Sequence, residues 1–130
     1  MRFRMVAVVA FAAVSLVLGA TPAIAAPGDF TVYTTDPGHP AAFAWWHPYG
    51  EHWGVCDDQE DGKRAIAQLK DVTAGVQYGI VDDTGYDNTC RQAPTDFNIT
   101  DGHKIALRVC LRDGALGPFS YCSAWKNGSA

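Results

Sequence analysis

Basic residues are the scarce class in this chain of 130 residues: ten Lys and Arg stand against fourteen Asp and Glu. Two of the ten, Arg2 and Arg4, lie at the very start. From residue 26 onward the balance is 8 − 14 = −6. A net charge of that sign argues against nucleic acid, whose phosphates need a basic stripe, and against an anionic membrane surface. There is no C-x₂-C pair, no H-E-x-x-H and no G-x-S-x-G. The sequence signals for structural zinc, a zinc protease and a serine hydrolase are therefore missing. No cofactor motif is present. Beyond the N-terminal segment no apolar run is long enough to span a membrane. What remains is the composition of one globular domain, 48% hydrophobic and 18% charged.

Residues 1–25 read as a secretory signal peptide. Arg2 and Arg4 supply the positive start, Met5 to Ala20 is an uncharged apolar run, and Ala23-Ile24-Ala25 is an A-x-A cleavage site. The expected exported protein is residues 26–130, one β domain. Twelve of its fourteen acids are Asp, most of them beside Gly, Pro, Thr or Asn, where Asp caps its own backbone in turns.

Four cysteines lie in that domain: Cys56, Cys90, Cys110 and Cys122. An even set in a small exported domain reads as two disulfides. Strand parity selects among the three pairings. Residues 103–112 alternate, with Ile105, Leu107, Val109 and Leu111 on one face and Ala106, Arg108, Cys110 and Arg112 on the other. Residues 119–126 alternate as well, with Phe119, Tyr121, Ser123 and Trp125 opposite Ser120, Cys122, Ala124 and Lys126. A turn-forming stretch, Asp113 to Pro118, joins them. Folded as a hairpin, the two strands bring Cys110 to Cys122. Cys56–Cys90 follows by elimination.

Short strands rich in β-branched and aromatic residues are expected at 30–34, 43–47, 52–56 and 76–81. Lys63 to Lys70 fits a helical turn capped by Asp61 or a strand, and its short length between strands favours the strand. Residues 82–88 form an Asp/Gly/Thr/Asn loop. Residues 91–101 are irregular, anchored by Phe97 and Ile99. The pattern predicts an all-β fold, a small two-layer antiparallel sandwich of immunoglobulin or fibronectin type with two disulfides.

Gly54-Val55-Cys56-Asp57 followed by Asp61-Gly62, with the later Leu107-Arg108-Val109-Cys110-Leu111 and Cys122-Ser123-Ala124-Trp125, resembles small secreted disulfide-bonded proteins of actinobacteria of the Streptomyces type. The likeness covers residues 42–126. It implies export, disulfides and an all-β domain. It carries no catalytic residues, because that group has no assigned activity.

Trp45, Trp46, Tyr49 and Trp53 fall within nine residues. Adjacent Trp45 and Trp46 on a strand must face opposite ways. One reading fills the core with Trp53, Trp125 and one of the pair, the other packing beneath the Pro48–Gly50 turn. The other reading makes exposed Trp and Tyr a stacking surface for sugars or a protein. The sequence leaves open which Trp is outside. The loop Asp57, Asp58, Glu60, Asp61 is a weak calcium candidate, without the spacing or bidentate Glu of an EF-hand. His47 and His52, with Asp57, are a weak transition-metal candidate. The expectation is a secreted, non-catalytic binding domain for a wall polysaccharide or another exported protein, with Trp45 to Trp53 as the contact surface and no cofactor. The alternatives are a small hydrolase using Asp57–Asp61 and a structural wall-associated protein.

Overall fold

A computed structural model describes residues 28–82 and 89–130. The expected signal peptide, and most of the loop at 82–88, lie outside the described residues. The described chain is all-β and forms two antiparallel sheets packed face to face. In the first sheet, β1 (Phe30–Tyr33), β2 (Ala42–His47), β3 (His52–Asp57) and β6 (Arg91–Gln92) lie in that order. The second sheet has the order β5 (Val76–Asp82), β4 (Lys63–Asp71), β7 (Lys104–Asp113), with β8 (Phe119–Ser120) and β9 (Lys126–Ser129) both pairing along β7.

Alternation along each strand decides what the layers bury. Val32, Ala44, Trp46, Trp53 and Val55 project from the first sheet into the core. Ala65, Ala67, Leu69, Ile105, Leu107, Val109 and Leu111 meet them from the second. Small residues on β2 and β4 leave room for the two indoles, whose neighbours supply the dense contact an interior requires. Lys63 to Lys70 is a strand, extended by Asp71. Strand geometry wins there because β4 pairs on both sides, with β5 and with β7. A helix would strand both ladders' backbone groups.

Both disulfides form as expected. Cys56 and Cys90 are bridged with Cα atoms 4.4 Å apart, Cys110 and Cys122 with Cα atoms 4.0 Å apart. The alternation expected over 119–126 does not hold, and the reason is geometric. Ser120 pairs with Leu111 and Lys126 with Leu107, so six residues on one side span four on the other. The surplus is absorbed at Tyr121, which adopts φ 49°, and in the unpaired segment after it. Ser123 repairs the ladder. Its N–H donates to Val109 O at 2.8 Å, and its Oγ accepts the Val109 N–H at 3.1 Å in place of a carbonyl. Cys122 therefore meets Cys110 inside a bulge, not on a regular strand.

The expectation of an irregular stretch over 91–101 fails at its start, where Arg91 and Gln92 pair with Val55 and Gly54 as β6; the residues that follow, 93–103, are irregular and are tied down from two directions. Ile99 is buried, and the Phe97 ring packs on Trp53 at 5.7 Å and edge-on to Tyr78 at 5.0 Å. Glu51, buried in the β2–β3 turn at φ 52°, accepts the Ile99 N–H at 2.6 Å. Asp71 Oδ2 lies 2.8 Å from His103 Nδ1 and fixes the far end of the same segment.

Candidate functional site

Pairing in register fixes which residues share the outer face of the first sheet. Tyr33 stands opposite Phe43, Thr31 opposite Trp45, Trp45 opposite Gly54, and His47 opposite His52. Parity puts all of them on the side away from the core. Three rings run across this face. The Tyr33 and Phe43 centroids are 5.9 Å apart, and those of Phe43 and Trp45 are 6.3 Å apart, both pairs tilted. Tyr33 is 55% exposed, and Phe43 and Trp45 are half-buried.

Gly54 sets the pose of Trp45. A Cβ at Gly54 would come within 2.5 Å of the Trp45 ring and 2.4 Å of the Arg91 carbonyl oxygen. The indole therefore lies over the sheet where any larger residue would lift it. An indole held against the sheet in this way is fixed in place, and aromatic rings so held offer apolar area to a sugar ring or a flat apolar group. Cys56 sits opposite Phe43, so the Cys56–Cys90 bridge borders the row. At the other end His47 Nδ1 lies 2.9 Å from Asp29 Oδ2.

The four aromatic residues singled out in sequence divide between two environments. Trp46 is fully buried, and its Nε1 donates to Ser129 O at 3.2 Å across the core. Trp53 is buried as well. Neither can touch a partner, which corrects their assignment to the contact surface. Both are core because their parity on β2 and β3 is that of Ala44 and Val55. Trp45 is on the outer face, and Tyr49, on the turn after β2, is 76% exposed. Tyr33 and Phe43 were not among the expected site residues. Their alternation with Val32 and Ala44 was visible in the sequence, but only the β1–β2 register brings them beside Trp45.

The acidic loop does something else. Asp57 is 4% exposed. Its Oδ1 accepts the Gln59 N–H at 3.2 Å, and its own N–H donates to Asp82 Oδ2 at 3.0 Å. Asp61 Oδ1 accepts the Lys63 N–H at 2.9 Å. The Asp57 and Asp61 side chains thus cap local turns, and that of Asp82 ties the end of β5 to β3. Burial pushes the Asp57 carboxyl up to about 6, against the Gln59 hydrogen bond, and the carboxylates of Asp61, Asp82 and Asp58 push the same way. Asp58 and Asp61 are exposed. Among the described residues no group of three or more His, Cys, Asp or Glu is placed to hold a metal ion. The chain matches no family model, no curated protein and no solved structure.

Proposed function

We propose that the protein is a secreted, non-catalytic binding domain, and that it holds an extracellular polysaccharide on the outer face of the first sheet. The observation that carries this reading is the row of Tyr33, Phe43 and Trp45, three partly exposed rings across two strands with the indole held over Gly54. Sugar rings present apolar C–H faces that stack on such rings, and a rigid sheet holds the rings without an ordering cost at binding. Export is supported by the Arg2–Ala25 pattern, by two disulfides and by the resemblance to small secreted actinobacterial proteins. An exported protein is the second reading for the partner, supported by Tyr49 at the exposed turn. The hydrolase alternative has the raised pKa of Asp57 in its favour, but a carboxyl 4% exposed is poorly placed to meet a substrate.

The test is co-sedimentation of the purified, disulfide-bonded protein with chitin, cellulose and peptidoglycan. Saturable binding to one of them, lost in Tyr33→Ala, is the expected result. Sedimentation with none of the three would remove the polysaccharide reading and leave the protein partner.

A further inference from the structure

The opposite side of the sandwich carries a second surface of different chemistry. On β7 the basic residues recur every fourth position, Lys104, Arg108 and Arg112. A spacing of four on a strand keeps all three on one face, about 14 Å apart at roughly 3.4 Å per residue. That face is the outer one, since Leu107, Val109 and Leu111 point into the core. Lys70 and Arg64, opposite Ala106 and Arg112 on β4, share it. Five of the eight basic residues after residue 25 thus lie on one face of a domain of net charge −6. The outward positions of β4, β5 and β7 hold no carboxylate: between the cations stand Ile66, Gln68, Gln77, Gly79, Val81, Ala106 and Cys110.

Among the described residues Lys70, Lys104, Arg108 and Arg112 make no ion pair. Their partners are rings. Trp125 lies 4.0 Å from Lys70 Nζ and 4.6 Å from the Arg108 guanidinium carbon. Phe119 lies 6.0 Å from that of Arg108 and 5.7 Å from that of Arg112. The Cys110–Cys122 bridge pins the segment that carries both rings. A guanidinium stacked on a ring has its face occupied and its in-plane N–H donors free, which is the edge that grips a carboxylate or phosphate. Among the described residues only one such donor is otherwise used on Arg108, Nε to Gln68 Oε1 at 2.7 Å.

We propose that this face binds an acidic polysaccharide, its carboxylates set along Lys104, Lys70, Arg108 and Arg112 and its sugar rings against Trp125 and Phe119. Charge complementarity calls for a polyanion. The single-file layout favours an extended chain over a globular protein, whose interface centres are depleted in Lys. Hollows of about 290 Å³ beside Lys70 and about 470 Å³ beside Lys104, meeting at Val72, give the Lys end of the file room for a sugar unit. This site is separate from the ring row on the first sheet and does not depend on that row's ligand.

The test is affinity electrophoresis of the disulfide-bonded protein in gels holding polygalacturonate, its neutral methyl ester or polyglutamate, at roughly 20 and 300 mM NaCl. Retardation by polygalacturonate at low salt, largely abolished at high salt, is expected, with weak or no retardation by the other two. Lys104→Gln, at an exposed site where the fold is not at stake, and Arg108→Gln should each weaken binding roughly five- to tenfold. Arg91→Gln, the same charge change on the first sheet, should leave it unchanged. The proposal is overturned by any of three results: no retardation at low salt, equal retardation by the methyl ester or by polyglutamate, or Lys104→Gln behaving like wild type.

Discussion

The two outer faces of this sandwich both carry rows of aromatic rings, yet the rings keep different company. On the first sheet Tyr33, Phe43 and Trp45 touch one another. On the second, Trp125 and Phe119 are interleaved with Lys70, Arg108 and Arg112. The difference comes from strand composition. β2 alternates apolar residues on both sides, so its outer positions are rings. β7 alternates aliphatic with basic residues, so its outer positions are cations, and the rings come from the bulged segment beside it. Stacking energy between neutral rings is insensitive to salt, whereas attraction to a cationic file is screened within about 10 Å at 0.1 M salt. One fold thus presents two surfaces whose responses to ionic strength should be opposite in kind.

The largest test of the comparison contrasts neighbours on one strand. Trp46→Ala opens a cavity in the core and should destabilise the domain by about 3–5 kcal/mol. Trp45→Ala, on the outer face, should cost about 1 kcal/mol. Urea midpoints of the two variants check this, and equal losses would erase the distinction between the inner and outer faces of β2. Next come the disulfides, each worth about 3 kcal/mol. The paired variants Cys56→Ser/Cys90→Ser and Cys110→Ser/Cys122→Ser should lose similar stability. Only the second pair should weaken binding to polygalacturonate, because only that bridge holds Phe119 and Trp125 beside the cations.

Glu51 comes third. Its carboxylate is the acceptor for the buried Ile99 N–H, and Glu51→Ala should cost about 1–3 kcal/mol by leaving that donor unmatched. Hydrogen exchange at the Ile99 amide should accelerate with it.

The smallest effect is a pH dependence seated at the edge of the first sheet. The Asp57 carboxyl, at about 6 in the folded protein against an ordinary 3.8, binds its proton more tightly folded than unfolded. Its contribution to stability is therefore whole below about pH 4 and is lost as pH rises through 6. Asp57→Asn should match wild type near pH 4 and exceed it by about 2 kcal/mol at pH 7.5. Urea unfolding at the two pH values reads the difference, and a variant less stable than wild type at pH 7.5 would show that the charged form is stabilised by the fold.

Much of the fold was legible because alternation and cysteine parity are local signals. Ile105 to Leu111 alone set the buried face of β7 and put Cys110 on the outer one; Cys122 reaches it through the bulge, so the pairing held although the parity expected of 119–126 did not. The last strand was misread because a bulge leaves no local mark: the positive φ at Tyr121 and the Ser123 hydroxyl bond depend on the register against β7. The aromatic surface was half legible. Parity demanded that Trp45 and Trp46 diverge, but only the sheet pairing shows which one meets the second layer. Tyr33 and Phe43 joined Trp45 through register, a long-range property. Glu51 gave no signal, since a turn carboxylate ordinarily faces water and this one turns inward to a loop 48 residues away.

The most direct test of the central claim is a pair of readings on one preparation of Trp45→Ala: its melting temperature and its binding to whichever matrix retains the wild-type protein. The account predicts a melting temperature within a few degrees of wild type and no saturable binding. Undiminished binding by the folded variant would contradict it, and the first sheet's outer face would no longer be the contact surface.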